Sequence, residues 1–230
     1  MYEVVRLLDQ HLCISFGPWC QTHKFFKDKL ESYETMPNNS FDNTGIPISS
    51  INFLIKNKFE LPKGYEFDRS NISVVSKTTT REEMYMHHKL FMRFPHHLPS
   101  KTCFMKSKSL TVNDETYEYF VKSQLRKLQR MKQYLSGLEN GYNKNIFIIR
   151  IEETKESILK NWDEKLIAPD ILANYKNKTE LEQLVEMTDN LKTHFPKVKC
   201  KILYISFSQN SKFSKEKQIY VLKADKLPNY

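Results

Sequence analysis

Residues 12–21 read LCISFGPWCQ, and this stretch sets the architecture that we expect for the chain. The apolar run 12–16 suits a buried strand, and the pair Gly17-Pro18 is a turn signal that ends it. Cys20 follows at once, and residues 21–30 have the apolar spacing of a short helix. A buried strand that passes through a tight turn into a helix is typical of α/β proteins.

The same alternation of strands and helices continues along the chain. Apolar spacing and end signals predict further helices at residues 49–58, capped by Ser49 or Ser50, at residues 178–194, and from Asp114 or Thr116 to residue 135. Runs rich in β-forming apolar residues predict strands at residues 72–75, 145–151, 202–207 and 219–222, the last at a sheet edge. Residues 36–47 are expected to be loop, and residues 85–99 irregular structure near the surface. Together these elements predict a single three-layer α/β domain over residues 1–230, with a mostly parallel sheet and helices on both faces.

The composition indicates where in the cell the protein is expected and which class of partner it is expected to bind. The chain has 36 Lys and Arg against 27 Asp and Glu, which gives a formal charge of +9, and 40% of its residues are apolar. No apolar run approaches the roughly 18 residues of a membrane span, and no secretory signal is found, so we expect a soluble cytoplasmic protein without a membrane partner. The abundance of Lys, Asn and Ile is typical of AT-rich genomes, including those of some large DNA viruses, in which case the location would be the host cytoplasm. The basic charge favours an anionic ligand, but no basic and aromatic reading motif is present, so a nucleic-acid partner is not expected.

The four cysteines are widely spaced and form no CxxC pair, which predicts free thiols rather than a zinc ribbon or a disulfide scaffold; they are Cys13, Cys20, Cys103 and Cys200. Cys20 differs from the others in its position, because the carboxyl ends of parallel strands are where working groups gather in α/β sheets. A thiol at a helix start faces unpaired N–H groups, which favour the nucleophilic thiolate. The alternative is that Cys20 is a small buried apolar residue, as most free cysteines are.

A nucleophilic thiol needs a proton acceptor, and imidazole is the usual one. The pair His96 and His97 is the preferred candidate because prolines restrict its loop, and the pair His87-His88 is a close rival. Asp42 is the candidate carboxylate that would orient the histidine, or else it caps its own turn. No acidic residue accompanies either histidine pair at ligand spacing, so we expect neither a metal nor another cofactor.

Several short motifs occur in an order that resembles a known family. They are ISFGPWCQ at residues 14–21, Phe41-Asp42, LIKNKF at residues 54–59, Phe94-Pro95-His96-His97, the helix from Tyr117 through Phe120, Arg126 and Arg130, and the strand at residues 146–150. Over residues 12–151 the chain thus resembles the DUF1796 family, which is described as papain-like cysteine peptidases. The resemblance implies that Cys20 is the nucleophile, His96 or His97 the base and Asp42 a third site residue.

Two main functions follow as hypotheses. In the first, the protein is a cysteine-dependent hydrolase or acyltransferase that acts on a peptide, isopeptide, ester or thioester, and helix N–H groups stabilise the oxyanion. In the second, it is a non-catalytic module for a nucleotide or phosphosugar, whose phosphate would meet Arg126 and Arg130 and the helix start between Gly17 and Gln21. A third hypothesis is a partner-interaction protein built on the same scaffold.

Overall fold

The structure is a computed structural model, and it describes residues 12–17, 41, 44–76, 83–94, 114–139, 146–153, 159, 162–210 and 212–224. Its strands are β1 Leu12–Ser15, β2 Ile72–Ser76, β3 Glu83–His87, β4 Met92–Phe94, β5 Ile146–Ile151, β6 Cys200–Ser206, β7 Lys212–Ser214 and β8 Ile219–Lys223. Its α-helices are α1 Ile48–Lys56, α2 Asp114–Glu139, α3 Pro169–Asn177 and α4 Glu180–His194, and a 3₁₀ turn spans Glu164–Leu166. None of the helices in these ranges has the length and apolarity that crossing a membrane requires.

The main sheet has five strands in the order β1-β5-β6-β8-β7. The pairs β1–β5, β5–β6 and β6–β8 are parallel, and only β7 runs antiparallel to its neighbour. The predicted α/β fold with a mostly parallel sheet is therefore confirmed. The expectation that residues 219–222 form the edge was wrong, because the short exposed strand β7 pairs outside β8.

Side chains alternate between the two faces of this sheet. Ile148, Ile202 and Val221 join the main apolar cluster, which also contains core residues of α1, α3 and α4. The opposite face carries a second buried cluster built around Phe147, Ile149 and Leu203. All described members of that cluster come from strands and from the loops that follow them, so helix cover on the second face stays a prediction.

A second, antiparallel sheet has the order β2-β3-β4 and corrects the expectation for residues 85–99. Residues 85–94 are not irregular surface structure, because they form β3, β4 and a tight buried turn. The reason is packing by α2: the ring of Phe120 stacks on Tyr85 with centroids 4.1 Å apart and meets Phe94 edge-on at 5.1 Å. Two backbone hydrogen bonds between Gly45 and Arg93, of 2.9 and 2.8 Å, join β4 to the segment that precedes α1.

The helix ends show which sequence signals the fold uses. At α4 the signal is a capping box: the Thr179 hydroxyl accepts from the Glu182 N–H, and the Glu182 carboxylate accepts from the Thr179 N–H. At α1 the predicted serine cap was wrong, because Pro47 occupies the cap position and Ser49 and Ser50 are buried in the first turn. Helix α2 follows the predicted start and buries the predicted apolar side, but it continues to Glu139.

Candidate active site at the carboxyl edge of the parallel sheet

The exit from β1 is fixed by its neighbours. The Phe16 N–H donates to the Ile149 carbonyl at 2.9 Å, and Gly17 then turns the chain with φ +53°. A Cβ atom at Gly17 would lie 3.1 Å from the Thr44 carbonyl oxygen and 3.3 Å from Nη1 of Arg150. Only glycine combines this left-handed conformation with such close packing, so the turn predicted from the sequence is a constrained element.

The side chain of Arg150, on β5, is the centre of this edge and is 1% exposed. Its Nη1 donates to the carbonyl oxygens of Phe16, at 2.8 Å, and Ile46, at 2.9 Å. Its Nε donates to Glu180 Oε1 at 2.6 Å, and Nη2 lies 2.5 Å from the same oxygen and 3.3 Å from Glu153 Oε2. One buried guanidinium therefore joins the exit of β1, the segment before α1 and the first residue of α4.

The two carboxylates that pair with Arg150 differ in their surroundings. Glu180 Oε2 also accepts from the Tyr204 hydroxyl and from the Glu153 N–H, both at 3.1 Å. Burial, opposed by the Arg150 charge and reinforced by Glu180, raises the pKa of Glu153 to about 7. Burial and the Glu180 charge also raise the pKa of Tyr204, so this phenol stays protonated as a donor. The cluster thus holds one carboxyl group that titrates near neutrality.

A third carboxylate, Glu152, closes the loop that follows β6. Its Oε2 accepts from the Ser206 hydroxyl at 2.8 Å and from the N–H groups of Phe207, at 2.5 Å, and Ser208, at 3.0 Å. These bonds lower the pKa of Glu152 against the opposing effect of burial. The acidic residue that follows β5 therefore fixes the backbone at the end of the neighbouring strand.

The chain segments that lead to the predicted catalytic residues meet at this edge. Phe41, which precedes Asp42, places its ring edge-on against Phe16 with centroids 5.1 Å apart. The Thr44 N–H donates to the Phe41 carbonyl at 3.2 Å, and the Thr44 carbonyl lies against Gly17. The next residue, Gly45, is bonded to β4, whose last residue lies two positions before His96.

The predicted catalytic residues themselves, Cys20, Asp42, His96 and His97, and the predicted ligand residue Gln21 lie outside the described residues. Gly17 is described and is buried. Arg126 and Arg130 project from the exposed side of α2, away from its buried residues. Within the described part of the chain, no side-chain hydrogen bond or ion pair joins either arginine to Gly17 or to any other residue.

The alternative histidine pair, His87-His88, lies within the described part of the chain. His87 is fully buried; its Nδ1 accepts from the Leu90 N–H at 3.2 Å, and its Nε2 lies 3.1 Å from the Tyr65 carbonyl oxygen. Both ring nitrogens are thus engaged by backbone, and burial lowers the pKa of His87 to about 4. His87 is therefore a neutral core residue rather than an available base, while His88 is half-buried and meets the edge of Trp162.

Cys200, the cysteine whose side chain is described, is free, as predicted, and packs against the main core. Burial raises the pKa of its thiol to about 12, so it is a poor nucleophile at neutral pH. Among the described residues, no three His, Cys, Asp or Glu side chains are grouped in a way that could hold a metal ion.

No protein-family model, curated protein or solved structure matches this chain. The resemblance to the DUF1796 family therefore stays a prediction.

Sequence reasoning did not find the Arg150 cluster. The available signal was an arginine inside the otherwise apolar strand IFIIRI, followed directly by Glu152 and Glu153. A charged residue inside a buried strand needs a buried partner, which points to an ion cluster at the end of the strand.

Proposed function

We propose that this chain is a cysteine-dependent hydrolase or acyltransferase in which Cys20 is the nucleophile. A histidine of the pair His96-His97 is the base, and Asp42 orients it. The substrate is a carbonyl compound with a leaving group: a peptide, isopeptide, ester or thioester.

The observation that carries this proposal is the meeting of three chain segments at the carboxyl edge of the sheet. Three contacts join these segments. The Phe41 ring packs against Phe16, the Thr44 carbonyl lies against Gly17, and Gly45 pairs with Arg93 of β4. Each segment is anchored within three residues of one predicted catalytic residue. Because successive Cα atoms are about 3.8 Å apart, Cys20 lies at most about 11 Å from Gly17 by chain length, and His96 at most about 8 Å from Phe94.

The Arg150 cluster gives this edge the rigidity that a catalytic arrangement needs. Its guanidinium donates to the carbonyl groups of Phe16, just before Gly17, and of Ile46, in the segment before α1, and it pairs with Glu180 and Glu153. Arg150 therefore acts in the proposal as a positioning residue. Reacting groups must be held within fractions of an ångström, and a buried bonded network beneath the site serves that purpose.

The proposed reaction has two steps. The Cys20 thiol loses its proton to the histidine as its sulfur bonds to the carbonyl carbon, and the leaving group takes that proton as its bond to carbon breaks. Water, or an acceptor nucleophile, then attacks the acyl-thioester and releases the thiol. Backbone N–H groups beside the nucleophile are the usual donors to the oxyanion in such reactions.

The test is a stoichiometric pulse of iodoacetamide at pH 6, followed by mass spectrometry of each cysteine peptide. We expect Cys20 to be labelled well ahead of the other three cysteines, and Cys200, which is half-buried and whose thiol pKa is raised to about 12, serves as the internal slow control. His96→Ala and His97→Ala, made separately, identify the base, because removing it should slow the labelling of Cys20 and leave Cys200 unchanged. Labelling of Cys20 no faster than that of Cys200 refutes the proposal and favours a module that binds anions through Arg126 and Arg130.

A further inference from the structure

A cavity of about 330 Å³ opens at the amino edge of the parallel sheet, at the opposite end of β6 from Arg150 and Glu180. It lies between the last turns of α4, the start of β6 and the turn that connects β7 to β8. Its lining residues are Thr188, Leu191, Lys192, Val198, Lys199, Cys200, Lys201, Lys217 and Gln218. The volume falls at the lower end of the range of about 300–1,000 Å³ that is usual for small-molecule sites.

The interior of this cavity is apolar. Leu191 and Val198 are buried core residues, and Cys200 contributes a thiol that burial keeps protonated. The Thr188 hydroxyl donates to the Val185 carbonyl at 2.7 Å, so its polar atom is already used within α4. A ligand in this space needs an apolar body.

The rim is cationic and only partly neutralised. Lys217 lies 3.1 Å from Asp189 Oδ1, so its charge is paired. The ammonium groups of Lys192, Lys199 and Lys201 form no ion pair or hydrogen bond within the described part of the chain. Three unpaired ammonium groups around one opening favour a ligand with a negative charge at that end.

The residue types that line the cavity indicate the chemical class of the anionic ligand. Among the described lining residues, no aromatic ring is present to stack on a nucleobase, and no arginine offers the bidentate fork that suits a phosphate. Lysine supplies a compact point charge that can pair with a carboxylate, and the apolar interior suits a carboxylate that is carried on an aliphatic chain. We propose that this cavity binds a small carboxylate with an aliphatic chain, of the size of a medium-chain fatty acid.

The proposal is independent of the cysteine chemistry. Strand β6 has seven residues, so its two ends are roughly 20 Å apart. Loss of binding here would leave the alkylation of Cys20 unchanged, and the two proposals can fail separately.

The experiment uses sodium octanoate, titrated into the full chain labelled with ¹³C at its leucine and valine methyl groups. We expect saturable shifts of the Leu191 and Val198 methyl signals. Sodium acetate has the charge without the chain and octanol the chain without the charge, so each should bind at least about tenfold more weakly than octanoate.

The double variant Lys199→Glu/Lys201→Glu should weaken octanoate binding by at least about tenfold. Lys63→Glu/Lys197→Glu is the matched control, because it makes the same change in net charge at exposed lysines outside the cavity and should alter affinity by less than about twofold. The proposal is overturned if octanoate causes no shift at about 10 mM, if octanol binds as well as octanoate, or if the two double variants behave alike. Binding of a poly-glutamate peptide in place of octanoate would also overturn it, since the lysines would then serve an acidic protein partner.

Discussion

Replacing Arg150 by methionine tests whether the buried guanidinium holds the carboxyl edge together. The change removes donors to Phe16 and Ile46 and leaves Glu153 and Glu180 buried without their cation. Removing one partner of a buried ion pair costs about 3–5 kcal/mol, because the remaining charge stays desolvated and unpaired. We expect Arg150→Met to lower the free energy of unfolding by that amount at pH 7.

The assay is equilibrium urea unfolding followed by circular dichroism. Arg126→Met is the matched control, because this exposed arginine has no partner in the described part of the chain and should change stability by at most about 0.5 kcal/mol. The double variant Arg150→Met/Glu180→Gln should regain part of the loss, since it removes one of the unpaired charges. A loss below about 1 kcal/mol in Arg150→Met, with no recovery in the double variant, would refute the inferred role of the network.

Two further predictions concern residues around Arg150. Glu153 has a pKa of about 7 in the folded protein, and its ordinary value is 4.5. Between these two pH values the folded state therefore binds more protons than the unfolded state. The free energy of unfolding should fall as the pH rises from 4.5 to 7, by at most about 3 kcal/mol. Glu153→Gln should flatten this slope in urea titrations at several pH values, and an unchanged slope would show that another group is responsible. Gly17→Ala should cost about 1–3 kcal/mol in the same assay, because it adds a left-handed backbone penalty to a contact with the Thr44 carbonyl. Gly64→Ala shares a positive φ but meets only the flexible end of Lys89, so a loss equal to that of Gly17→Ala would argue against the steric part of the effect.

The parallel sheet could be predicted because its strands carry their own signal. Residues 146–151 and 202–206 are nearly continuous apolar runs, as strands buried on both faces must be. Helix α4 also has a local sequence signal, since Thr179 and Glu182 form a capping box ahead of an amphipathic run.

Elements that depend on distant partners could not be predicted in the same way. Strands β3 and β4 contain Met, His and Arg, and their strand conformation depends on pairing and on the cover that Phe120 provides from α2. Helix α3 was not predicted because it is only nine residues long, although Pro169 at its first position and Asp170 in its first turn are common at helix starts. Its helical state follows from the burial of Ile171 and Tyr175.

The candidate site also has one part that could be predicted from the sequence and one part that could not. The Gly17 turn was predicted from its dipeptide, because a local backbone requirement leaves a local trace. The role of Arg150 was missed, because Glu180 lies 30 residues further along the chain and its partnership exists only once α4 packs on the sheet.

The bonds to Glu152 join two neighbouring strand ends at the carboxyl edge. The amides of Phe207 and Ser208 belong to a loop, yet both are tied to a carboxylate that the adjacent strand supplies. In a parallel sheet, the loops that follow neighbouring strands need not be bonded to each other, and side chains placed on them would then have no fixed separation. Here one carboxylate spans the gap between two strand ends, so the ends of β5 and β6 are held at a set distance by side-chain bonds in addition to the sheet itself.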